Sequence, residues 1–227
     1  SIEDKEEQSF YEIEAIKVNW SLRELKRQIN SSLYERLALS RDKKEVMMLS
    51  QMGQIVSQPG DLIKSPVVLE FLNLQEQAKY SESDLETAII NKLEQFLLEL
   101  GKGFLFAARQ KRFTFDDDNY YVDLVFYNRM LRCYTLIDLK IGDITHQDLG
   151  QMQMYVNYFD RYEKKDDESR TIGIVICRKN KESMVEITLP EDSNIHASEY
   201  KLYLPSKDEL REQLEEAKKD WESSSQE

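Results

Sequence analysis

Cysteine is scarce in this 227-residue chain: only Cys133 and Cys177 occur, both in apolar strand-like runs and neither in a CxxC or Cys/His spacing. Neither a disulfide framework nor a zinc site is therefore indicated. Histidine is equally scarce, and His146 and His196 have no partner spacing that suggests catalysis. With Gly 7 and Pro 4, collagen-like and low-complexity chains are excluded, while 41% hydrophobic and 33% charged residues mark a soluble globular composition. No stretch approaches the roughly 18 apolar residues of a membrane span, so no membrane partner is expected. No charged-then-apolar signal region opens the chain, and the expected location is cytoplasmic. Basic charge is also in short supply, with Lys+Arg 31 against Asp+Glu 43 and a net charge of −12. At first sight that argues against a nucleic-acid partner, because phosphate binding wants a basic footprint.

The charge is unevenly placed, however. The segments Glu3 to Glu7 and Ser206 to Glu227 are both strongly acidic. Between Gly101 and Thr114, by contrast, Lys102, Arg109, Lys111 and Arg112 occur with no acid among them. A locally basic surface is one reading of that run and an ordinary solvated face is the other.

Apolar residues in the first part recur at helical spacing, Ile13, Ile16 and Trp20, then Leu22, Leu25, Ile29, Leu33 and Leu37, with Ser21 as a cap or kink between them. One long or two consecutive helices are expected there, and a third from about Asp42 to Val56, ending in the breaker-rich Ser57-Gln-Pro-Gly-Asp61. This gives a helical N-terminal domain over 1–58 and a connector with a short helix over 59–80. From 81 to 205 the pattern is α/β. A helix of about five turns carries Leu85, Ile89, Leu93, Phe96, Leu97 and Leu100 and closes at Gly101 and Gly103. Strands follow at Phe104–Arg109, Arg112–Phe115, Tyr120–Tyr127 and Leu131–Ile141, with an acidic turn at Asp116–Asn119. A second helix runs from His146 to about Tyr162, capped by Thr145 with Asp148 three residues on. Thr171–Cys177, a weaker strand near Val185–Leu189, and Tyr200–Leu204 complete an αβββαβ order with additions. A charged helix and tail occupy 206–227. The Leu/Ile stripe of the N-terminal helices can pack between chains as readily as within one, so a homo-oligomer through them is an expectation to test.

The piece that carries chemistry is Tyr121-Val-Asp-Leu-Val-Phe-Tyr127 followed by Tyr134-Thr-Leu-Ile-Asp-Leu-Lys140. If these form a hairpin with its loop centred between Met130 and Leu131, cross-strand partners have numbers summing to 261, and Asp123 stands opposite Asp138. Period-two alternation places Lys140 on the same face as Asp138. Facing like charges are destabilising unless a cation lies between them, and paired carboxylates without His or Cys suit Mg²⁺ or Mn²⁺. An ammonium beside them and a metal can position or help deprotonate a water, and can offset charge developing on a phosphoryl oxygen. An ordinary Asp138–Lys140 salt bridge on a wet edge is the rival reading. Against it, Leu136, Ile137, Leu139 and Ile141 make the strand look central, where charge is costly.

An Asp on one strand, then Asp138-Leu139-Lys140 on the next, with an acid on the preceding helix and a Gln on the following one, resembles the PD-(D/E)xK nuclease core. The segments Tyr80–Glu86, Glu99–Phe104, Arg109–Arg112, Asp123–Tyr127 and Gly150–Tyr155 are similar to the YhcG family of bacterial nuclease-like proteins, as are Asn19–Ile29 and Tyr34–Leu37 in the N-terminal part. The resemblance implies a restriction-endonuclease-like fold, a mixed sheet flanked by helices behind an all-α N-terminal domain. It implies a metal-dependent nuclease acting on nucleic acid, DNA ahead of RNA, with a catalytically weak or inactive binding module as the alternative. Metal ligands are implied at Asp123, Asp138 and the main-chain carbonyl of Leu139, and the catalytic-lysine position at Lys140. Glu86 matches the acid of the first core helix, although Ser83-Asp-Leu-Glu86 also fits a capping box. Gln151 orients the site in this reading, and Tyr155, four residues on, supports it or touches substrate. Arg109, Lys111 and Arg112 are candidate phosphate contacts. Arg23, Lys26, Arg27 and Arg36 either do likewise or pair with Glu24 and Glu35.

Overall fold

The computed structural model describes residues 2, 4–39, 43–64, 66–75, 79–190, 192–204 and 206–214. The chain divides into two compact units, one formed by Ser1–Val68 with Tyr203–Glu227 and the other by Leu69–Leu202. Among the described residues no helix is long and apolar enough to cross a membrane.

The first unit holds helices α1 (Lys5–Val18), α2 (Leu22–Asn30), α3 (Leu33–Leu39) and α4 (Lys43–Met52), and ends in a two-residue strand β1 (Val67–Val68). Three helices thus stand where one or two were expected before α4. Ser21 is the break between the first two: it caps α2 in a reciprocal box with Glu24. The expected start of the next helix at Asp42 lies outside the described residues. The core is Phe10, Tyr11, Leu33, Tyr34, Leu37 and Leu49. Ile16 and Leu22, read from the sequence as core-facing, are instead 81% and 68% exposed. Arg36 is not placed to contact phosphate. It is wholly buried, donating from Nε to the Ser31 carbonyl at 2.7 Å and from Nη1 to the Pro66 carbonyl at 3.0 Å.

Two carboxylates in this unit, Glu7 and Glu35, are 1% and 2% exposed. Burial, then the neighbouring charge of Glu7, pushes the Glu35 carboxyl above its ordinary value. Lys207 and Arg211, on the helical turns over 207–214, answer both acids: Arg211 Nη2 lies 3.1 Å from Glu7, and Lys207 Nζ is 3.7 Å from Glu35. Removing one side of a buried pair costs about 3–5 kcal/mol because the other charge is stranded. The double variant Lys207→Met/Arg211→Met is therefore expected to lose roughly 3 kcal/mol of stability by urea unfolding, with Glu7→Gln restoring part of it.

The second unit contains α5 (Glu82–Asn91), α6 (Leu93–Leu100), β2 (Phe104–Phe115), β3 (Asp118–Asn128), β4 (Cys133–Leu139), α7 (His146–Tyr158), β5 (Ile172–Cys177), α8 (Glu182–Thr188) and β6 (Ile195–Lys201). This is the expected αβββαβ order, but the strands expected at Phe104–Arg109 and Arg112–Phe115 are the single strand β2, the last strand is Ile195–Lys201 in place of Tyr200–Leu204, and two helical features differ. The five-turn helix is broken at Lys92, and Val185–Leu189 is helical. Val185-Glu-Ile-Thr-Leu189 alternates like a strand, but Val185 and Leu189, four apart, both pack on the core while Ile187 is 88% exposed.

Within this unit the strand order is β6-β5-β4-β3-β2. β2, β3 and β4 pair antiparallel, and β4, β5 and β6 pair parallel, which makes the sheet mixed. The β2–β3 turn places Asp116 and Asp117 at φ 48° and 66°, the left-handed pair that a two-residue hairpin turn requires. The β3–β4 loop is held by Asn128, whose Oδ1 accepts from the backbone N–H of Met130 and Leu131 at 3.0 and 3.2 Å. Helix α7 buries Leu149, Met152, Val156 and Phe159 against the sheet. It comes very close at Gly173, where a Cβ would stand 2.6 Å from Met152 Cγ. α7 continues to Glu163 as a single π turn, so the expected end near Tyr162 holds in outline.

Candidate active site

The β3–β4 register runs from Asn128↔Cys133 to Leu124↔Ile137, so each pair sums to the expected 261 and Asp123 is the next residue in line with Asp138. The two strands separate at this point. The backbone N–H of Leu139 donates to Asp123 Oδ2 at 2.9 Å in place of a ladder bond. Asp138 is 3% exposed. Burial, then the charge of Asp123, pushes the Asp138 carboxyl up to about 7, and Lys140 opposes the rise.

Lys140 lies two residues beyond Asp138, with Nζ 2.8 Å from Asp138 Oδ2. This close ion pair works to lower the Asp138 carboxyl and to raise the Lys140 ammonium. Glu82 and Asp148 lie further off, at 3.6 and 3.9 Å from the same ammonium. Burial works against the charge on Lys140, but Asp138, then Glu82 and Asp123, outweigh it and hold the ammonium well above its ordinary value. Lys140 in this state is a fixed cation and a proton donor; it has no lone pair with which to take a proton from water.

Glu86 is settled by the cap. The capping box of α5 is Ser81 with Asp84, which leaves the Glu86 side chain outside it. Glu86 is buried, accepting from Arg109 Nε on Oε1 at 2.6 Å and from Gln110 Nε2 on Oε2 at 2.7 Å. The same Gln110 nitrogen donates to Asp123 Oδ1 at 3.0 Å. Gln110 was not singled out from the sequence, where a glutamine among bases gives no signal. Arg109, expected to meet phosphate, is committed to Glu86 and to Thr87 Oγ1 at 2.8 Å. Lys111 lies 3.7 Å from Glu163, and Arg112 is exposed.

On α7, Thr145 and Asp148 form the expected capping box. Gln151 Nε2 donates to the Tyr155 hydroxyl. Tyr155 is 1% exposed and packs edge-on against Phe113 at 5.6 Å, so it supports Gln151 and offers no surface to nucleic acid, contrary to that part of the expectation.

Among the described residues no three His, Cys, Asp or Glu side chains form a ready-made metal cluster. Mg²⁺ nevertheless binds through one or two carboxylates and keeps several waters. Asp123 and Asp138, facing each other with Asp138 buried, fit that requirement. The sign of the pH effect without metal follows from Asp138. A carboxyl whose folded pKa is raised contributes stability that is fully present below its unfolded value near 4 and is lost as pH rises through about 7. In chelator, thermal unfolding is expected to show a loss on the order of 2–4 kcal/mol between pH 5 and pH 8. Asp138→Asn should flatten that dependence, and Mg²⁺ should counter it in the unsubstituted chain.

Comparison with known proteins places these features in a family. The model described as the YhcG PDDEXK nuclease domain matches residues 60–215. "Putative nuclease YhcG" of Escherichia coli (strain K12) is 41% identical over 215 residues, covering 94% of this chain and 57% of that protein, so the chain spans little more than half of that relative's length. Among solved structures, a repair endonuclease from Pyrococcus abyssi overlaps 56% of this chain and 50% of its own at 19% identity and a TM-score of 0.37. EndoMS in a complex titled with dsDNA overlaps 59% and 51% at 13% identity and a TM-score of 0.37. Overlaps this loose say nothing about the chemistry of this chain.

Proposed function

This chain belongs to the YhcG PDDEXK nuclease family, and on that premise we propose that it is a divalent-metal-dependent phosphodiesterase acting on nucleic acid, DNA ahead of RNA. The observation that carries the reading is the facing pair Asp123 and Asp138, with Asp138 buried and the Lys140 ammonium 2.8 Å from its Oδ2. A buried carboxyl on a central strand, faced by a second, half-buried one, is hard to explain as packing.

In this reading Asp123, Asp138 and the Leu139 carbonyl hold Mg²⁺ or Mn²⁺, with Glu86 behind them. When bound, the ion supplies neutralisation of a phosphoryl oxygen and a water of lowered pKa. Lys140 supplies a held proton and a positive charge at the edge of the carboxylate pair, suited to orienting a water or a phosphate oxygen. Gln151, braced by the buried Tyr155 hydroxyl, presents an amide from the first turns of α7. Arg112 is exposed, whereas Arg109 is held by Glu86 and Lys111 lies near Glu163, which makes Arg112 the best-placed of the three for a phosphate contact.

The test is a panel of duplex, branched and single-stranded DNA and RNA incubated with Mg²⁺, Mn²⁺ or EDTA. Cleavage is expected with metal only. Lys140→Ala is expected to lower its rate at least 100-fold while the circular dichroism spectrum stays that of the folded chain, with some stability lost because buried Asp138 loses its partner. Unimpaired cleavage by that variant would overturn the assignment. Metal-independent binding with no cleavage would leave a nuclease-fold binding module.

A further inference from the structure

Successive residues of a strand point to opposite faces, yet Arg109 and Gln110, adjacent on β2, both reach Glu86, one to each of its oxygens. The backbone explains how. Gln110 has φ 47°, a left-handed conformation that a residue with a side chain rarely adopts inside a strand. That conformation turns the Gln110 side chain toward the same side as Arg109. Strain of this kind persists only where the surroundings over-determine it, and it collects at functional sites. Here the surroundings are two carboxylates. The Gln110 amide nitrogen sits between Glu86 Oε2 and Asp123 Oδ1, and only the NH₂ end of an amide can face two acceptors.

We propose that Gln110 is a positioning residue for the divalent ion, tying buried Glu86 to Asp123, and that Glu86 acts on the metal site through this amide. The inference rests on the metal-site reading of Asp123 and Asp138 given above. With Gln110 on Oδ1 and the Leu139 N–H on Oδ2, Asp123 is fixed at both oxygens before any ion arrives. An amide suits the task because it donates without carrying charge. A lysine here would compete with the cation, and a glutamate would add a third repelling carboxylate. Groups that orient metal ligands from behind typically change metal affinity 10–100-fold when removed.

Mn²⁺ binding to the full chain, followed by calorimetry and electron paramagnetic resonance, tests this without reference to cleavage. Gln110→Gly accepts the left-handed backbone and deletes the bridge, and Gln110→Asn tolerates it but is one methylene too short to span the carboxylates. Both are expected to stay folded by circular dichroism and to bind Mn²⁺ about 10–100-fold more weakly. Glu86→Gln should lose a similar factor, and Glu86→Gln/Gln110→Gly no more than the worse single variant, since one linkage is broken only once. Wild-type affinity in either folded Gln110 variant, or losses that add in full in the double variant, would overturn the proposal. Loss of binding in Asp123→Asn alongside an unaffected Gln110→Gly refutes the bridge and keeps the metal site. No Mn²⁺ binding by the unsubstituted chain refutes both.

Discussion

The β3–β4 hairpin forces Asp123 and Asp138 toward one another, and much of the second unit's polar structure follows from that single repulsion. Each nearby group relieves part of it. Lys140 sets a positive charge against Asp138, the Leu139 N–H leaves the ladder for Asp123, and Gln110 donates from the other side. The residual cost appears in Asp138, which ionises only near pH 7 without a further cation. A site that is nearly but incompletely neutralised by its own side chains is one in which a divalent ion gains a large electrostatic advantage.

The mixed sheet supplies the geometry. β4 is the strand at which pairing changes from antiparallel to parallel, so its C-terminal end receives Asp123 from β3 on one side and is held by β5 on the other, where the Lys140 N–H donates to the Ile176 carbonyl at 2.8 Å. Helix α7 lies close to the sheet, with Tyr155 within electrostatic range of Asp138, Asp123 and Lys140, and Gly173 permits that approach. Residues as different as a glycine under α7 and an asparagine in the hairpin loop thus serve one placement of charge.

The αβββαβ order and the hairpin register were legible because they depend on alternation and on loop length, which a sequence displays directly. Thr145 with Asp148 was legible because a capping box is a local pattern. The same pattern misled at α5, where Ser83–Glu86 fits a box but the helix is capped two residues earlier by Ser81 with Asp84. Val185–Leu189 misled because four or five residues can satisfy both periods. Gln110 was illegible in principle: its role comes from a backbone angle that no propensity assigns to glutamine, and from two carboxylates that are 24 and 13 positions away. Arg36 was illegible for a similar reason, its partners being backbone carbonyls fixed by the fold.

The net charge of −12 takes on a different meaning once the pairings are known. Many bases are already committed: Arg109 to Glu86, Lys140 to Asp138, and Lys207 and Arg211 to Glu7 and Glu35, with Lys111 near Glu163. The positive surface offered to a phosphate chain is therefore smaller than even the count of 31 Lys and Arg suggests. Under the nuclease reading such a chain cannot rely on a broad basic track for affinity. Attraction to phosphate must come largely from the bound ion itself, and the acids that make the chain so negative include the ones that would hold it.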